Sequence, residues 1–321
     1  MKFYFAPMEG ITGYPFRNTY EAFFSGIDKY FTPFISANDS FSYQDRELRD
    51  VDPSKNMVPF LVPQVLTNDA EMFVSAIKML TERGYHEVNL NLGCPSGTVV
   101  AKNKGSGMLR DPDRLDEFFE ETYGYLDREG IKSVHISLKT RIGIYDEAEL
   151  SNLIPVFNRY PFSEIIVHPR ITKEFYKGSV HLEAFERCFT ELKAPVVYNG
   201  DIFTLSAYEK LCTRFPSLHT VMLGRGLLMH PSLLREIKGG EAATVKELKA
   251  YHKALLTAYL PEMGSEKNTL FKMKEFWDYL SKDFEHSERY LREIRKATDM
   301  TAYKAAARNL FAGCPLRRED L

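Results

Sequence analysis

Cys94 stands between Gly93 and Pro95, at the end of the alternating run Asn89-Leu90-Asn91-Leu92 and ahead of a glycine-broken loop through Gly105-Ser106-Gly107. Both neighbours turn the backbone out of a sheet, glycine by its freedom and proline by its fixed φ and missing N–H. The sulfur is therefore expected to face a loop, whereas a single cysteine more commonly packs as a small apolar residue. A thiol near its ordinary pKa of about 8.5 is mostly protonated at neutral pH, so Cys94 suits a general acid better than a nucleophile. Other polar residues stand at comparable strand ends: Pro7-Met8-Glu9-Gly10, Gln64, Asn91, Lys139 and Arg141, His168-Pro169-Arg170, Asn199-Gly200-Asp201, and Gly224-Arg225-Gly226. One Lys or His at a strand end is ordinary, but this many in register imply a ring of functional groups.

Such a ring needs a scaffold, and the hydrophobic period supplies one. Short β-rich runs at residues 3–7, 29–35, 60–66, 87–92, 134–140, 164–167, 195–198 and 219–223 alternate with amphipathic helical stretches. Helices are predicted at 69–83, 112–128, 147–160 and 205–214, the pattern of parallel sheet units. Eight such units predict a (β/α)8 TIM barrel over residues 1–240, in which chemistry sits on the loops at the C-terminal strand ends. The stretch 38–57, charged and without period, reads as a loop. Beyond Gly239-Gly240 the pattern is helical throughout, predicting a small C-terminal helical-bundle domain over residues 241–321.

Gly224-Arg225-Gly226 ahead of a helical run offers backbone N–H groups and a positive helix end, the place where barrels hold phosphate after their last two strands. With Asn199-Gly200-Asp201 one strand earlier, the pair suits a nucleotide-like cofactor such as FMN. Lys139 is then placed to stabilise an anionic reduced ring at its N1/C2 carbonyl edge, and Gln64 to hydrogen-bond the ring. No G-x-G-x-x-G follows the first strand, so a built-in dinucleotide site is not indicated. The 321 residues carry 27% charged side chains and no apolar run near the roughly 18 residues of a membrane helix. The four cysteines show no metal or disulfide spacing, and no secretion signal is visible. A monomeric cytoplasmic protein without a metal is the expectation.

Ala6-Pro7-Met8-Glu9-Gly10-Ile11-Thr12 with Pro15-Phe16-Arg17, Asn91-Leu92-Gly93-Cys94-Pro95, Lys139-Thr140-Arg141, His168-Pro169-Arg170, Asn199-Gly200-Asp201-Ile202 and Gly224-Arg225-Gly226 together resemble the tRNA-dihydrouridine synthases over residues 3 to about 237. The resemblance implies an FMN enzyme that uses NADPH to reduce the C5–C6 double bond of particular tRNA uridines, with the bacterial branch acting on position 16 of the D-loop as the most similar. It implies Pro7, Met8, Glu9, Gln64, Lys139, His168, Asn199, Gly200, Asp201, Gly224 and Arg225 as FMN contacts and Cys94 as proton donor. Asn91, Arg141 and Arg170 would face the uridine. Pro169 departs from the glycine common at that place in the family, and its missing N–H removes any backbone contact there.

The formal charge of −2 argues against an RNA partner only if charge is evenly spread. It is not: residues 289–318 hold Arg289, Arg292, Arg295, Lys296, Lys304, Arg308, Arg317 and Arg318 against Glu293 and Asp299. Arg289, Arg292 and Lys296 share a helical face, and Lys102 and Lys104 follow Cys94, so these five are the candidate tRNA backbone contacts. Two other functions fit parts of the pattern. An FMN barrel reducing a small alkene or pyrimidine explains the ring but not the basic helix, and a non-catalytic RNA-binding protein explains the helix but not the ring.

Overall fold

The computed structural model describes residues 1–36 and 42–317. Residues 38–41 of the expected loop and Arg318 of the basic tail lie outside the described residues. The rest of the 38–57 stretch is ordered locally, with a helix at Asp45–Asp50 and a 3-10 turn at Pro53–Lys55. The Gln44 N–H donates to the Glu47 carboxylate (3.0 Å), a local cap that hydrophobic period does not reveal.

Among the described residues nine short strands form one parallel sheet, and all of it but Leu223 lies in a first compact unit built from residues 1–9, 28–200 and 218–222. They are β1 (Lys2–Phe5), β2 (Lys29–Phe31), β3 (Leu61–Val62), β4 (Gln64–Val65), β5 (Glu87–Leu92), β6 (His135–Arg141), β7 (Ile165–His168), β8 (Val196–Tyr198) and β9 (Thr220–Leu223). Their order, β3-β2-β1-β9-β8-β7-β6-β5-β4, leaves β3 and β4 at its two ends, separated in sequence by Pro63 alone. Proline has no N–H for the ladder, so the one predicted strand is divided into two. The chain through Pro63 joins the ends, and the Asn89 N–H donates to the Pro63 carbonyl at 2.9 Å. The fold is therefore the expected eight-staved TIM barrel. Pro33 likewise cuts β2 short of the predicted 29–35.

Alternation along the strands decides what each face does. In β5 all six residues are buried, with Val88, Leu90 and Leu92 on one face and Asn89 and Asn91 on the other. Tyr4, Ala6, Phe31, Val62, Ile166, Val197 and Met222 form a buried cluster, and each large apolar side chain among them contributes about 1.5–3 kcal/mol by burial. At the N-terminal strand ends the Lys29 ammonium pairs with Glu87 (2.7 Å) and Glu164 (3.1 Å), and the Tyr4 hydroxyl donates to Glu164 (2.9 Å). The surrounding helices start where side chains accept their first N–H groups. Asp69 caps Ala70–Glu82 and Asp111, ahead of Pro112, caps Pro112–Arg128. The predicted helix 147–160 is instead a 3-10 turn, Glu147–Glu149, leading into Leu150–Phe157, because the Glu149 carboxylate gathers the N–H groups of Ile144, Tyr145 and Asp146.

The second compact unit comprises residues 10–27, 201–217 and 223–321. Its helices include Tyr14–Phe24, Leu205–Arg214, Val245–Glu262, Glu266–Leu280, Glu288–Lys296 and Met300–Gly313. Phe16 stacks on Phe276 (5.5 Å between centroids), the Tyr20 hydroxyl donates to the Pro231 carbonyl (2.9 Å), and Trp277 donates its ring N–H to the Tyr303 hydroxyl (2.9 Å). The hydroxyl in turn meets the His252 Nε2 (2.6 Å), which burial holds neutral by pushing the imidazole down to about 4. Among the described residues no helix is long and apolar enough to cross a membrane.

Candidate active site

Cys94 lies just past the end of β5, and its turn is tied down on both sides. The Asn91 carboxamide oxygen accepts the N–H groups of Gly93 (3.0 Å) and Cys94 (2.9 Å). The Cys94 carbonyl accepts from the Ser106 N–H (3.2 Å) and hydroxyl (2.8 Å), while the Gly93 carbonyl accepts from Arg141 Nε (2.9 Å). Gly105 makes the return possible, since its φ of +57° and a Cβ position 3.0 Å from the Cys94 Cβ and carbonyl oxygen exclude a side chain. The thiol is only partly exposed, and burial pushes it above its ordinary range against the opposing pull of Arg141 and Lys139.

Behind this turn runs a chain of buried amides. Asn91 Nδ2 donates to Gln64 Oε1 (2.8 Å), Gln64 Nε2 donates to Asn89 Oδ1 (2.8 Å), and Asn89 Nδ2 donates to Ser137 Oγ (2.9 Å). The strand register makes it, pairing Gln64 with Asn89 across β4 and β5 and Asn89 with Ser137 across β5 and β6. Each amide therefore has a fixed orientation, and Gln64 and Asn91 each keep one N–H uncommitted by these bonds. Asn89, Ser137 and Ser106 belong to this site without being among its sequence-predicted residues. Inward alternation on β5 and β6 signals the first two, whereas nothing local signals Ser106.

Lys139 is the register partner of Asn91 on β6. Among the described residues its ammonium has no hydrogen-bond or ion-pair partner, and burial together with the Arg141 charge pushes it down to about 7. An unpaired buried amine is a group waiting for an acceptor. The lysine, the spare N–H groups of Gln64 and Asn91, and the thiol together fit a flat ring carrying carbonyl and ring-nitrogen acceptors.

Arg141 and Arg170 are both buried and both hold the loop after β7. Arg141 donates to the carbonyls of Ile171 (3.0 Å) and Phe175 (2.7 Å), and Arg170 to those of Lys177 (3.2 Å) and Gly178 (2.5 Å). Arg170 also reaches the His168 Nε2 (3.2 Å), which as acceptor places the ring proton on Nδ1, and Tyr176 stacks on that ring (5.9 Å). Pro7 and Met8 are half-buried after β1, and Glu9 is exposed and paired with Arg46 (2.6 Å). Asn199 donates to the Met222 carbonyl (2.8 Å), and Gly200 has no room for a Cβ, which would sit 2.2 Å from the Tyr198 hydroxyl.

In the second unit Asp201 pairs with Arg225 (2.5 Å), beside Gly224 at the start of the five-residue helix Arg225–Met229. Arg289, Arg292 and Lys296 are all exposed on Glu288–Lys296, with Arg289 paired to Glu293 (3.4 Å). Lys102 is exposed and Lys104 half-buried beyond Cys94, in the first unit.

A family model described as dihydrouridine synthase matches residues 4–313. The tRNA-dihydrouridine(16) synthase of Pseudomonas putida is 25% identical over 310 residues, covering 93% of this chain and 94% of the relative. That of Pseudomonas syringae pv. tomato is 25% identical over 311 residues, covering 93% and 96%. Among solved structures, morphinone reductase matches with a TM-score of 0.51 at 10% identity, over 75% of this chain and 88% of that one, which is a likeness of fold. With its motifs on the barrel's C-terminal strand ends and the family match running almost the whole length, the chain belongs to the dihydrouridine synthase family and is a flavin-dependent oxidoreductase.

Proposed function

We propose that the protein reduces the C5–C6 double bond of a uridine in the tRNA D-loop, position 16 being the position for which its Pseudomonas relatives are named. FMN is the resident cofactor and NADPH the reductant. The observation that carries this reading is the partly exposed Cys94 thiol, fixed at its N–H by Asn91 and at its carbonyl by Ser106, and kept protonated by burial.

Pro7, Met8, Glu9, Gln64, Lys139, His168, Asn199, Gly200, Asp201, Gly224 and Arg225 would hold the FMN. FMN held there would supply, in its reduced form, the hydride that uracil C6 receives. Cys94 gives its proton to C5, so the base gains two hydrogens and the thiolate recovers its proton from solvent. Asn91 offers its remaining N–H to a uracil carbonyl. Arg141 fixes the turn beneath the thiol through Gly93, and its positive charge and that of Lys139 stabilise charge developing on the ring. Arg170 fixes the loop after β7 that borders the base. The base must leave its stack to enter, which costs a few kcal/mol.

The helices of residues 241–321 bind the tRNA backbone through Arg289, Arg292 and Lys296, with Lys102 and Lys104 contributing from the barrel. These contacts predict affinity that falls steeply with salt. The test is incubation of the purified protein with FMN, NADPH and unmodified tRNA, followed by mass spectrometry for a nucleotide two hydrogens heavier. A single shifted D-loop uridine supports the proposal. NADPH oxidation without any shifted nucleotide overturns it in favour of a small-molecule reductase.

A further inference from the structure

The loops after β6 and β7 are joined to each other. The Thr172 N–H and hydroxyl both donate to the Gly143 carbonyl (2.9 and 3.1 Å), and the Lys173 N–H donates to that of Ile144 (3.3 Å). On these joined loops Tyr145 and Phe175 leave 53% and 47% of their surface in water. Phe175 also has a φ of +53°, a backbone state that a bulky side chain seldom adopts. It is held there by its own N–H to Thr172 (3.1 Å) and by the Arg141 guanidinium on its carbonyl (2.7 Å). A glycine would relieve the strain, yet this position carries a phenyl ring.

Charge completes the surface. Lys173 Nζ lies 4.2 Å from the Tyr145 ring centroid, Lys177 is exposed, and neither has a carboxylate partner among the described residues. The acids of the same loops are already engaged. Glu149 takes three backbone N–H groups, Glu174 takes the Ile171 N–H and His181, and Glu147 takes the other His181 nitrogen. Aromatic faces beside cations that no carboxylate pairs directly are the combination that holds unpaired nucleotides, since every base has a π-face and every linkage a phosphate.

We propose that Tyr145 and Phe175, with Lys173 and Lys177, form a stacking platform for an unpaired nucleotide next to the reactive uridine, an inference that rests on the RNA-substrate reading above. Pulling one base out of a loop leaves its neighbours unstacked, and a fixed aromatic surface beside the barrel mouth replaces the lost stack. Arg141 thereby links the two tasks, holding Gly93 under the thiol with one nitrogen and Phe175 with another.

The test uses full-length enzyme and a tRNA transcript carrying 2-aminopurine beside the uridine that is reduced. Stacking quenches 2-aminopurine fluorescence on binding. The Y145A/F175A double variant is expected to lose the quench and to raise KM for tRNA roughly 10- to 100-fold, while Y145F/F175Y keeps both near wild type. The absorbance of bound flavin reports that each variant is folded. If wild-type enzyme makes dihydrouridine without quenching the probe, the platform is overturned and the function stands. If it makes none, the RNA reading itself fails, and a quench that persists in the double variant removes these two rings from the account.

Discussion

Cys94 and Lys139 act on each other electrostatically, and their proton affinities are displaced in opposite senses, the thiol up and the amine down. Burial does both, because it penalises whichever form is charged. Replacing Cys94 with alanine is expected to lower dihydrouridine formation by about 10²- to 10⁴-fold while NADPH still reduces the flavin, measured by stopped-flow absorbance. A general acid works while protonated, so the wild-type rate should hold through neutral pH and fall only above the ordinary thiol range. For Lys139 the sign runs the other way. An amine near 7 must be charged to serve an acceptor, so FMN affinity should decline as pH rises above 7, by at most about tenfold per unit, and Lys139→Met should flatten that profile. Titration of flavin fluorescence reads both. The residue types of this site were legible in the sequence; their partners were not. Asn91 reads as a uracil ligand, yet its carboxamide oxygen is committed to two backbone N–H groups, and Arg141 spends its guanidinium on three carbonyls. Partners of this kind depend on strand register and loop return, which no window of sequence contains.

Strands and helices were legible wherever burial set the period. The six residues of β5, all buried, and the helices Pro112–Arg128 and Leu205–Arg214, which start at the side-chain caps Asp111 and Thr204, match their predicted bounds. Departures occur where a single side chain overrides the period. Pro63 divides a stave, and Glu149 replaces the start of a helix with a 3-10 turn. Between Ser96 and Arg110 the sequence has no period, the chain forms a short helix at Gly97–Val100 and a 3-10 turn at Gly105–Arg110, and its course depends on glycines. Gly105→Ala is the sharpest test of that segment. The substitution forces a side chain into a left-handed backbone, at about 1–2 kcal/mol, and drives its Cβ against the Cys94 carbonyl and the Val99 side chain. Urea denaturation should show that loss, and dihydrouridine formation should fall with it because the thiol moves. Ser106→Ala removes only the hydroxyl bond to the Cys94 carbonyl, at about 0.5–1.5 kcal/mol, so its effect on turnover should exceed its effect on stability.

For the molecule as a whole, the sequence separates a barrel from a helical tail, but packing draws residues 10–27 and 201–217 into the same compact unit as the tail. The reason is contact chemistry that alternation cannot show, such as Phe16 on Phe276 and the Tyr259 hydroxyl on the Ile11 carbonyl. The same unit holds a pH-dependent clamp. His230 bonds Asp283 through Nδ1 and Glu236 through Nε2, each at 2.6 Å, and the Ser232 hydroxyl supports Glu236. Burial opposes the imidazolium, but the two carboxylates outweigh it and raise the group from 6.5 to about 9. A raised pKa stabilises the fold in full below the unfolded value of 6.5. That contribution drains away as pH climbs, and it is gone once pH passes 9. The loss across this window is about 3 kcal/mol. Trp277, the single tryptophan, is buried in this unit and reports its unfolding by fluorescence. Urea midpoints measured from pH 6 to 9.5 should therefore fall further for wild type than for His230→Gln. Parallel curves for the two proteins would mean that the imidazole gains no proton affinity from Asp283 and Glu236 in solution.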